Sequence, residues 1–330
     1  MEDDNRRPAA EETGAEKTPP GMVWIPDGTF LMGSDQHYPE EAPAHLVTVG
    51  GFWMDQRIVT NEQFARFVKE TGYVTVAERP LDPALYPDAD PALLTPGALV
   101  FQRQTHPVDL RDATQWWAYI PGANWRHPQG PGSSLEGRER HPVTQVAYED
   151  AEAYAAWAGK TLPSEAEWER AARGGLEGAV YAWGDEFLPD RRLMANVWIG
   201  EFPWQTLRPD QHIGTMPVGS FPANGYGLYD MAGNVWEWTS DYYAPRHEDT
   251  NHEAADHACC APMNPRGATR EASYDPAQPG VRIPRKVLKG GSHLCAANYC
   301  LRYRPAARSP EMIDTATSHI GFRCILRLTR

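Results

Sequence analysis

The sequence contains few cysteines and no long apolar run, and each absence excludes a class of protein. Five cysteines in 330 residues are an odd and low number, which excludes a scaffold built on disulfide bonds. No apolar run approaches the roughly 20 residues of a membrane-spanning helix, so we expect no membrane span. We find no internal repeat and no linker that divides residues 22–330 into two cores.

The excess of acidic residues argues against nucleic acid as a partner. The chain has 44 acidic and 31 basic residues, a formal net charge of −13, which disfavours binding to the phosphates of nucleic acid. Residues 1–21 are charged and rich in Ala, Glu and Pro, which predicts a disordered tail. This segment lacks the apolar core of a secretory signal, so we expect a cytoplasmic protein, and no feature indicates an oligomer, so we expect a monomer.

The composition predicts one loop-rich α+β domain over residues 22–330. Hydrophobic residues make up 41% of the chain and include 12 Trp, enough for a sizeable core. The 28 Gly and 30 Pro interrupt regular elements, which excludes a helix bundle.

Local motifs predict three helices and several short strands. The first helix begins at the N-cap Thr60 and ends at Gly72, the second covers residues 149–158, and the third runs from the N-cap Ser164 to Gly174. Short strands are predicted at residues 22–26, 28–33, 47–52 and 320–328. The polar and Pro-rich stretches 78–140 and 241–285 are predicted to be long loops.

Two cysteines five residues apart are the most specific functional signal in the chain. Cys295 and Cys300 follow Gly290 and Gly291, which permit a bend that a side chain would block. Such a pair can form a disulfide, act as a redox couple, bind a soft metal, or simply lie in the core. Zinc needs more ligands than these two, whereas two thiolates suit Cu(I).

This segment resembles the C-terminal signature of formylglycine-generating enzymes. The resemblance extends over residues 22–328 and rests on the segments KGGSHLCAANYCLRYR at 289–304, SHIGFR at 318–323, NGYGLYDMAGNVWEW at 224–238, LPSEAEWE at 162–169 and PDGTFLMGS at 26–34. The segment around Trp236 marks only the superfamily, whose fold is similar to C-type lectins. The Cys295/Cys300 pair marks the oxidase.

The resemblance implies a copper-dependent oxidase that acts on a protein cysteine. Cys295 and Cys300 would hold copper, Cu(I) at rest, as a bis-thiolate. The substrate would be an unfolded sulfatase polypeptide that carries Cys-X-Pro-X-Arg, whose cysteine adds a third thiolate. Dioxygen and a thiol reductant would then convert that cysteine, through a thioaldehyde, into formylglycine. An acidic residue of the long loops would bind the substrate arginine.

The resemblance also assigns four further residues to the active site. Ser292 would lie beside the copper and oxygen pocket, and Trp236, Tyr299 and His319 would line the peptide groove. For each there is a structural alternative. Trp236 and Tyr299 can be core aromatics, Ser292 a turn residue, and His319, where the family often has Asn, a structural histidine.

Two groups of residues match calcium sites of the family. The first group is the side chains of Asn196 and Asp210 with the carbonyls of Val197 and His212. The second group is the side chains of Asp230 and Glu237 with the carbonyls of Gly233 and Val235. Carboxylate, amide and backbone oxygens are what Ca²⁺ prefers. The alternative is that these carboxylates accept hydrogen bonds from loop amides.

The other three cysteines lie outside the pair. Cys324 alternates with apolar residues and is expected to be a buried core thiol. Cys259 and Cys260 lie among histidines, so a metal site is an alternative to a polar loop with two thiols.

Two other functions are alternatives to the oxidase. A sulfoxide synthase of the same superfamily would need a helical iron-binding domain, which we do not expect in this chain. A lectin-like binding module would not need the Cys295/Cys300 pair.

Overall fold

The computed structural model describes residues 18–86, 90, 94–208, 210–247 and 261–328. The helices are α1 (Asn61–Thr71), α2 (Tyr148–Trp157) and α3 (Glu165–Arg173). The strands are β1 (Met22–Ile25), β2 (Gly28–Met32), β3 (His45–Val49), β4 (Phe52–Asp55), β5 (Gly97–Phe101), β6 (Trp117–Pro121), β7 (Trp236–Tyr242), β8 (Arg285–Lys289), β9 (Arg308–Met312), β10 (Ile320–Gly321) and β11 (Ile325–Arg327). No helix of the described ranges is long and apolar enough to cross a membrane.

Four small sheets and three helices make an α+β architecture, as the composition predicts. The largest sheet has the order β10-β7-β8-β9, in which only the β10–β7 pair is parallel. A second sheet has the order β1-β4-β11, so the first and the last described strands pair with β4 on its two sides. The pairs β2–β3 and β5–β6 are antiparallel and stand apart from both.

Helices α1 and α3 begin and end at the capping residues that the sequence predicts, and α2, with Ala147 at its N-cap, covers Tyr148–Trp157 against the predicted 149–158. The Thr60 side chain accepts from the backbone amide of Gln63, and the Gln63 side chain accepts from the Thr60 amide, which completes a capping box. Ser164 caps α3 in the same way, with Glu167 as its partner. Gly72 ends α1 in the left-handed conformation, which glycine adopts without steric cost.

The predicted strand over residues 320–328 is wrong in one respect. It is split into β10 and β11, and all residues from 320 to 325 are buried rather than alternate ones. The reason is Arg323, whose fully buried guanidinium donates to both oxygens of Glu237. A charged side chain that finds its partner inside the protein breaks the alternation that a half-buried strand would show.

The long loop predicted over residues 78–140 also contains more regular structure than expected. The strands β5 and β6 pair within it, although fifteen residues separate them. Strands β7, β8 and β9, which form most of the largest sheet, were not predicted either. Their pairing is non-local, so the local pattern of each segment carries little of the signal.

A buried network of ion pairs joins α3 to the two strands that flank residues 290–307. Lys289 at the end of β8 lies 3.0 Å from Glu169, and Arg308 at the start of β9 lies 2.8 Å from Glu165. Arg173 binds the other oxygen of Glu169 at 2.7 Å. Although burial opposes it, the charges of Lys289 and Arg173 lower the pKa of Glu169 to about 2. The segment between Lys289 and Arg308 is therefore anchored at both ends.

We predict that Glu169→Gln destabilises the fold strongly. Removal of one member of a buried ion pair leaves its partners unpaired and costs about 3–5 kcal/mol of unfolding free energy. Urea denaturation followed by circular dichroism measures the loss. Glu70→Gln is the matched control, because Glu70 forms the same i,i+4 pair with Arg66 on an exposed helix face. Equal losses in the two variants would contradict the role of the buried network.

Candidate active site

The candidate site lies in the segment between β8 and β9. Gly290 and Gly291 have φ angles of 93° and 69°, which L side chains rarely adopt. A Cβ at Gly291 would lie 2.9 Å from the carbonyl oxygen of Arg302, so the two ends of the segment approach too closely for a side chain. The glycines thus fold the chain back and bring Cys295 and Cys300 together.

The two cysteines are a buried pair of free thiols. Their Sγ atoms are 3.0 Å apart, longer than the roughly 2.05 Å of a disulfide bond. Cys295 is 2% and Cys300 is 8% exposed. The backbone amide of Ser292 donates to the Cys295 sulfur at 3.4 Å, and Ser292 is fully buried. The structure thus brings together the pair and the serine that the sequence assigns to it.

The two thiols have different proton affinities. The hydrogen bond from Cys295, together with the nearby charge of Arg302, lowers the pKa of Cys300 to about 7. Burial raises the pKa of Cys295. Cys300 is therefore the thiol of the pair that ionises more readily.

A second group of residues, absent from the sequence prediction, positions Arg302. Its guanidinium lies 3.9 Å above the ring of Tyr38 and 2.6 Å from the carboxylate of Glu40, with one nitrogen 4.0 Å from the Cys300 sulfur. The Tyr38 hydroxyl accepts a hydrogen bond from the amide of Leu301 at 3.0 Å. The segment before β3 is thus joined to the Cys300 side of the site.

Aromatic side chains form the wall beside the cysteines. Tyr299 is 37% exposed and stacks on Phe202 at 4.6 Å, with Trp116 edge-on at 5.3 Å. The amide of Trp198 donates to the Cys295 carbonyl at 3.0 Å, which fixes this wall to the cysteine segment. Trp236 is 4% exposed and packs in the same hydrophobic cluster as both cysteines. Tyr299 is thus exposed, as a groove residue would be, whereas Trp236 is a core residue of the cluster that contains the pair.

A cavity of about 440 Å³ opens next to this wall. Its lining includes Phe101, Arg103, Arg138, His293 and Ser318. The Nδ1 of His293 donates to the carbonyl of Asn234 at 2.8 Å, and burial lowers the pKa of His293 to about 4, so the imidazole is neutral. No carboxylate lines the cavity within the described residues, and its two arginines favour an anionic occupant.

His319 lies beside this cavity, next to Ser318. Its Nδ1 lies 2.6 Å from the hydroxyl of Thr317, and its ring packs on Trp117 at 4.8 Å. Burial lowers the pKa of His319 to about 3, so it is also neutral. Its backbone carbonyl accepts from the amide of Trp236 at 2.9 Å, which links it to β7. These contacts hold the ring at the edge of the aromatic wall.

The second predicted calcium group lies in a tightly curled loop before β7. Asp230, Gly233 and Asn234 have positive φ angles. The carboxylate of Asp230 accepts from the amide of Gly219 at 2.7 Å, and it forms no salt bridge within the described part of the chain. Burial, with a contribution from the charge of Glu237, raises the pKa of Asp230 to about 6. No cation forms a salt bridge with this carboxylate within the described residues, which fits a metal ligand, although the charges of Arg323 and Arg57 act on it and Arg323 already binds Glu237.

The first predicted calcium group is brought together around an arginine. The guanidinium of Arg208 donates to both carboxylate oxygens of Asp210, at 3.0 and 2.8 Å, and to the side-chain oxygen of Asn196 at 3.1 Å. Hydrogen bonds from Arg208 lower the pKa of Asp210. The amide of His212 donates to Asp210 at 3.0 Å. The predicted side-chain oxygens of Asn196 and Asp210 are therefore close together, but a cationic side chain already binds them.

The remaining cysteines are separate from the site. Cys324 is fully buried in the main hydrophobic cluster and is free, as expected of a core thiol. Cys259 and Cys260 lie outside the described residues. No group of three or more His, Cys, Asp or Glu side chains within the described ranges forms a metal site.

The sequence contains signals for some of the residues that were missed. The Trp116-Trp117 dipeptide in a Trp-rich loop indicates an aromatic surface, and both residues lie at the wall. Arg208 and Asp210 are two residues apart, a spacing that permits a local ion pair. Tyr38 and Glu40 have no such signal, because their contact with Arg302 spans more than 260 residues.

Comparison with known proteins agrees with this geometry. The family model of the sulfatase-modifying factor enzyme 1-like domain matches residues 8–328. A formylglycine-generating enzyme of Mycobacterium tuberculosis is 56% identical over 304 residues, which cover 92% of this chain and 97% of the relative. This chain belongs to the formylglycine-generating enzyme family. The predicted family, and an enzyme rather than a binding module, are confirmed.

A mammalian relative and a solved structure provide two further comparisons. A formylglycine-generating enzyme of Mus musculus is 44% identical, with 92% of this chain and 74% of the relative covered. The solved structure of PvdO from Pseudomonas aeruginosa matches 93% of this chain and 94% of its own, with a TM-score of 0.59 and 23% identity. That likeness concerns the fold alone. The α+β fold of the formylglycine-generating enzyme family is confirmed.

We predict that His293 makes the fold less stable at acidic pH. Its pKa is about 4 in the folded protein against 6.5 in the unfolded chain. Between these values the unfolded chain binds a proton that the folded protein does not, so stability falls as the pH falls from 6.5 to 4. The shift corresponds to about 3 kcal/mol.

Urea denaturation at pH 7 and pH 4 tests this effect. His293→Gln, which keeps a donor for the Asn234 carbonyl, should lose less stability than the wild type between the two values. His106→Gln is the control, because His106 is exposed. If His293→Gln shows the same pH dependence as the wild type, His293 takes up a proton in the folded state.

Proposed function

We propose that this enzyme converts the cysteine of a sulfatase Cys-X-Pro-X-Arg segment into formylglycine, with dioxygen and a thiol reductant. The observation that supports it is the pair of free thiols 3.0 Å apart, buried beside Ser292 and an aromatic wall. Relatives named as formylglycine-generating enzymes match nearly the whole chain. The fold hosts other functions as well, so the thiol pair rather than the fold indicates the reaction.

We propose copper as the metal of the thiol pair. Two soft sulfur ligands from Cys295 and Cys300 fit Cu(I), and both sulfurs lie close enough together to bind one ion. Copper would supply the one-electron and dioxygen chemistry that side chains lack. The chain itself contributes a thiolate at Cys300, which the neighbouring Arg302 stabilises, and a cover of apolar side chains that keeps water from the sulfurs.

Limited access to the thiol pair supports an extended form of the substrate. Cys295 and Cys300 are almost fully buried, so a cysteine on the surface of a folded domain cannot reach them. An extended segment can lie along Tyr299 and insert one side chain. We therefore propose an unfolded polypeptide as the substrate, with Tyr299 as a contact residue and Trp236 as the residue that packs the pair from the core side.

The proposed metal of the second calcium group is Ca²⁺. The carboxylate of Asp230 is buried and has no salt-bridge partner within the described residues, and backbone carbonyls of Gly233 and Val235 belong to the same curled loop. A bound cation would relieve the cost of this buried charge. It would also stabilise the folded state by mass action.

Glu201 is the residue that we propose for the substrate arginine. Its carboxylate accepts a hydrogen bond from the side chain of Asn298 at 2.9 Å, directly next to Tyr299. Glu201 is exposed, and no cation binds it within the described residues. Asp109, by contrast, already pairs with Arg111 at 2.7 Å. Glu201 is therefore an available partner for a guanidinium at the rim of the aromatic wall.

The central prediction concerns the conversion of a peptide. A synthetic peptide that contains Leu-Cys-Thr-Pro-Ser-Arg, incubated with the enzyme, Cu(I), a thiol reductant and air, should lose about 18 Da, since an aldehyde replaces the thiol. Mass spectrometry measures the change. Cys295→Ala and Cys300→Ala should abolish it, because each removes one of the two sulfur ligands.

Cys324→Ala is the matched control for these variants, because Cys324 is an equally buried cysteine outside the pair. It should retain the conversion. An unchanged peptide, with the protein folded and copper bound, would contradict the proposal and favour a binding module.

Glu201→Gln should weaken recognition of the substrate arginine. A charge-assisted hydrogen bond contributes about 1.5–3 kcal/mol, so kcat/KM should fall by roughly 10- to 100-fold. The same variant should have little effect on a peptide in which Ala replaces the arginine. Steady-state kinetics of the four combinations form a double-mutant cycle. Independent effects, or an equal loss in Asp109→Asn, would show that Glu201 is not the partner.

A further inference from the structure

The loop between residues 196 and 216 contains an internal cation. The three nitrogens of the Arg208 guanidinium all donate to oxygen atoms of this loop, two to Asp210 and one to Asn196. Arg208 is 5% exposed, although the side chain of Asp210 is 52% exposed. These hydrogen bonds fix the rotamer of Arg208, whose guanidinium is nearly buried although its partner Asp210 is exposed.

The rest of the loop is organised around the same side chain. The backbone carbonyl of Arg208 accepts from both the amide and the side chain of Gln211, at 3.0 and 2.9 Å. The Sδ atom of Met216 lies 3.5 Å from the guanidinium. Arg208 therefore joins residues on both sides of the loop through its own side chain and carbonyl.

The oxygens that Arg208 binds are those that the family resemblance assigns to calcium. A guanidinium keeps its positive charge, so it would repel a Ca²⁺ ion that binds the same oxygens at close range. Calcium would need six to eight oxygens and would have to displace the guanidinium from both Asn196 and Asp210. The residues present therefore do not fit the ion. In the second group Arg323 likewise binds Glu237, but no guanidinium binds the carboxylate of Asp230 within the described residues, so this group keeps one carboxylate open to the ion.

We propose that Arg208 takes the place of the first calcium ion in this protein. The loop then keeps its shape without metal, and the chain binds one calcium ion, at the second group, instead of two. This loop matters for the active site, since the amide of Trp198 within it donates to the carbonyl of Cys295. The wall beside the thiol pair is thus independent of calcium at the first position.

The test is the number of calcium ions bound per chain. Metal-free protein, prepared with EGTA, is titrated with CaCl₂ in a calorimeter, and thermal unfolding is followed with and without the ion. The wild type should bind one ion. Arg208→Gly frees the oxygens of Asn196 and Asp210 and should bind two, with a melting temperature that EGTA lowers more than in the wild type.

The matched control is Arg111→Gly, because Arg111 pairs with Asp109 over the same two-residue spacing but is 91% exposed. It should leave the number of ions unchanged. Asp230→Asn in both backgrounds assigns each ion to its group. If Arg208→Gly does not fold in EGTA, recovery of its circular dichroism on addition of calcium supports the proposal, and Arg208→Gln removes the charge with a smaller change in the backbone.

Two outcomes would overturn the proposal. The wild type binding two ions would show that calcium displaces the guanidinium, and an unchanged number of ions in Arg208→Gly would show that the freed oxygens do not form a site. A wild type that binds no calcium, with one ion in Arg208→Gly, would support the role of Arg208 and reject calcium at the second group.

Discussion

The anchoring of residues 290–307 by buried charges is the constraint on which the active site depends. Lys289 and Arg308 lie on neighbouring strands and both pair with carboxylates of α3. Arg304, in the same segment, donates to Glu41 at 2.7 Å. An irregular segment of this length has little regular hydrogen bonding of its own, so these charges, rather than secondary structure, keep its shape.

Buried arginines recur in the structure as partners of single carboxylates. Arg323 with Glu237, Arg308 with Glu165 and Arg304 with Glu41 are all nearly inaccessible to solvent. The planar guanidinium matches a carboxylate with two parallel hydrogen bonds, which specifies orientation as well as proximity. In a chain with so much irregular backbone, such pairs substitute for the directional order that long strands and helices give other folds.

The parts of the structure that local sequence determines were predicted well, and the parts that depend on distant contacts were not. Thr60 and Ser164 mark helix starts through hydrogen bonds that span three residues. Cys295 and Cys300 are five residues apart, so a bend of the backbone suffices to bring them together. The position of Arg302 was not predictable in this way. The residues that contact it, Tyr38 and Glu40, precede it by more than 260 positions, so no local pattern indicates that contact.

The depth of the thiol pair has a consequence for the timing of the reaction. For the unfolded substrate proposed above, the reacting side chain reaches the two nearly inaccessible sulfurs while its own chain is extended. Small domains typically fold within microseconds to seconds. Under the proposed function, the enzyme and the folding of its substrate compete for the same short-lived polypeptide, and the faster of the two processes decides how much of the product is modified.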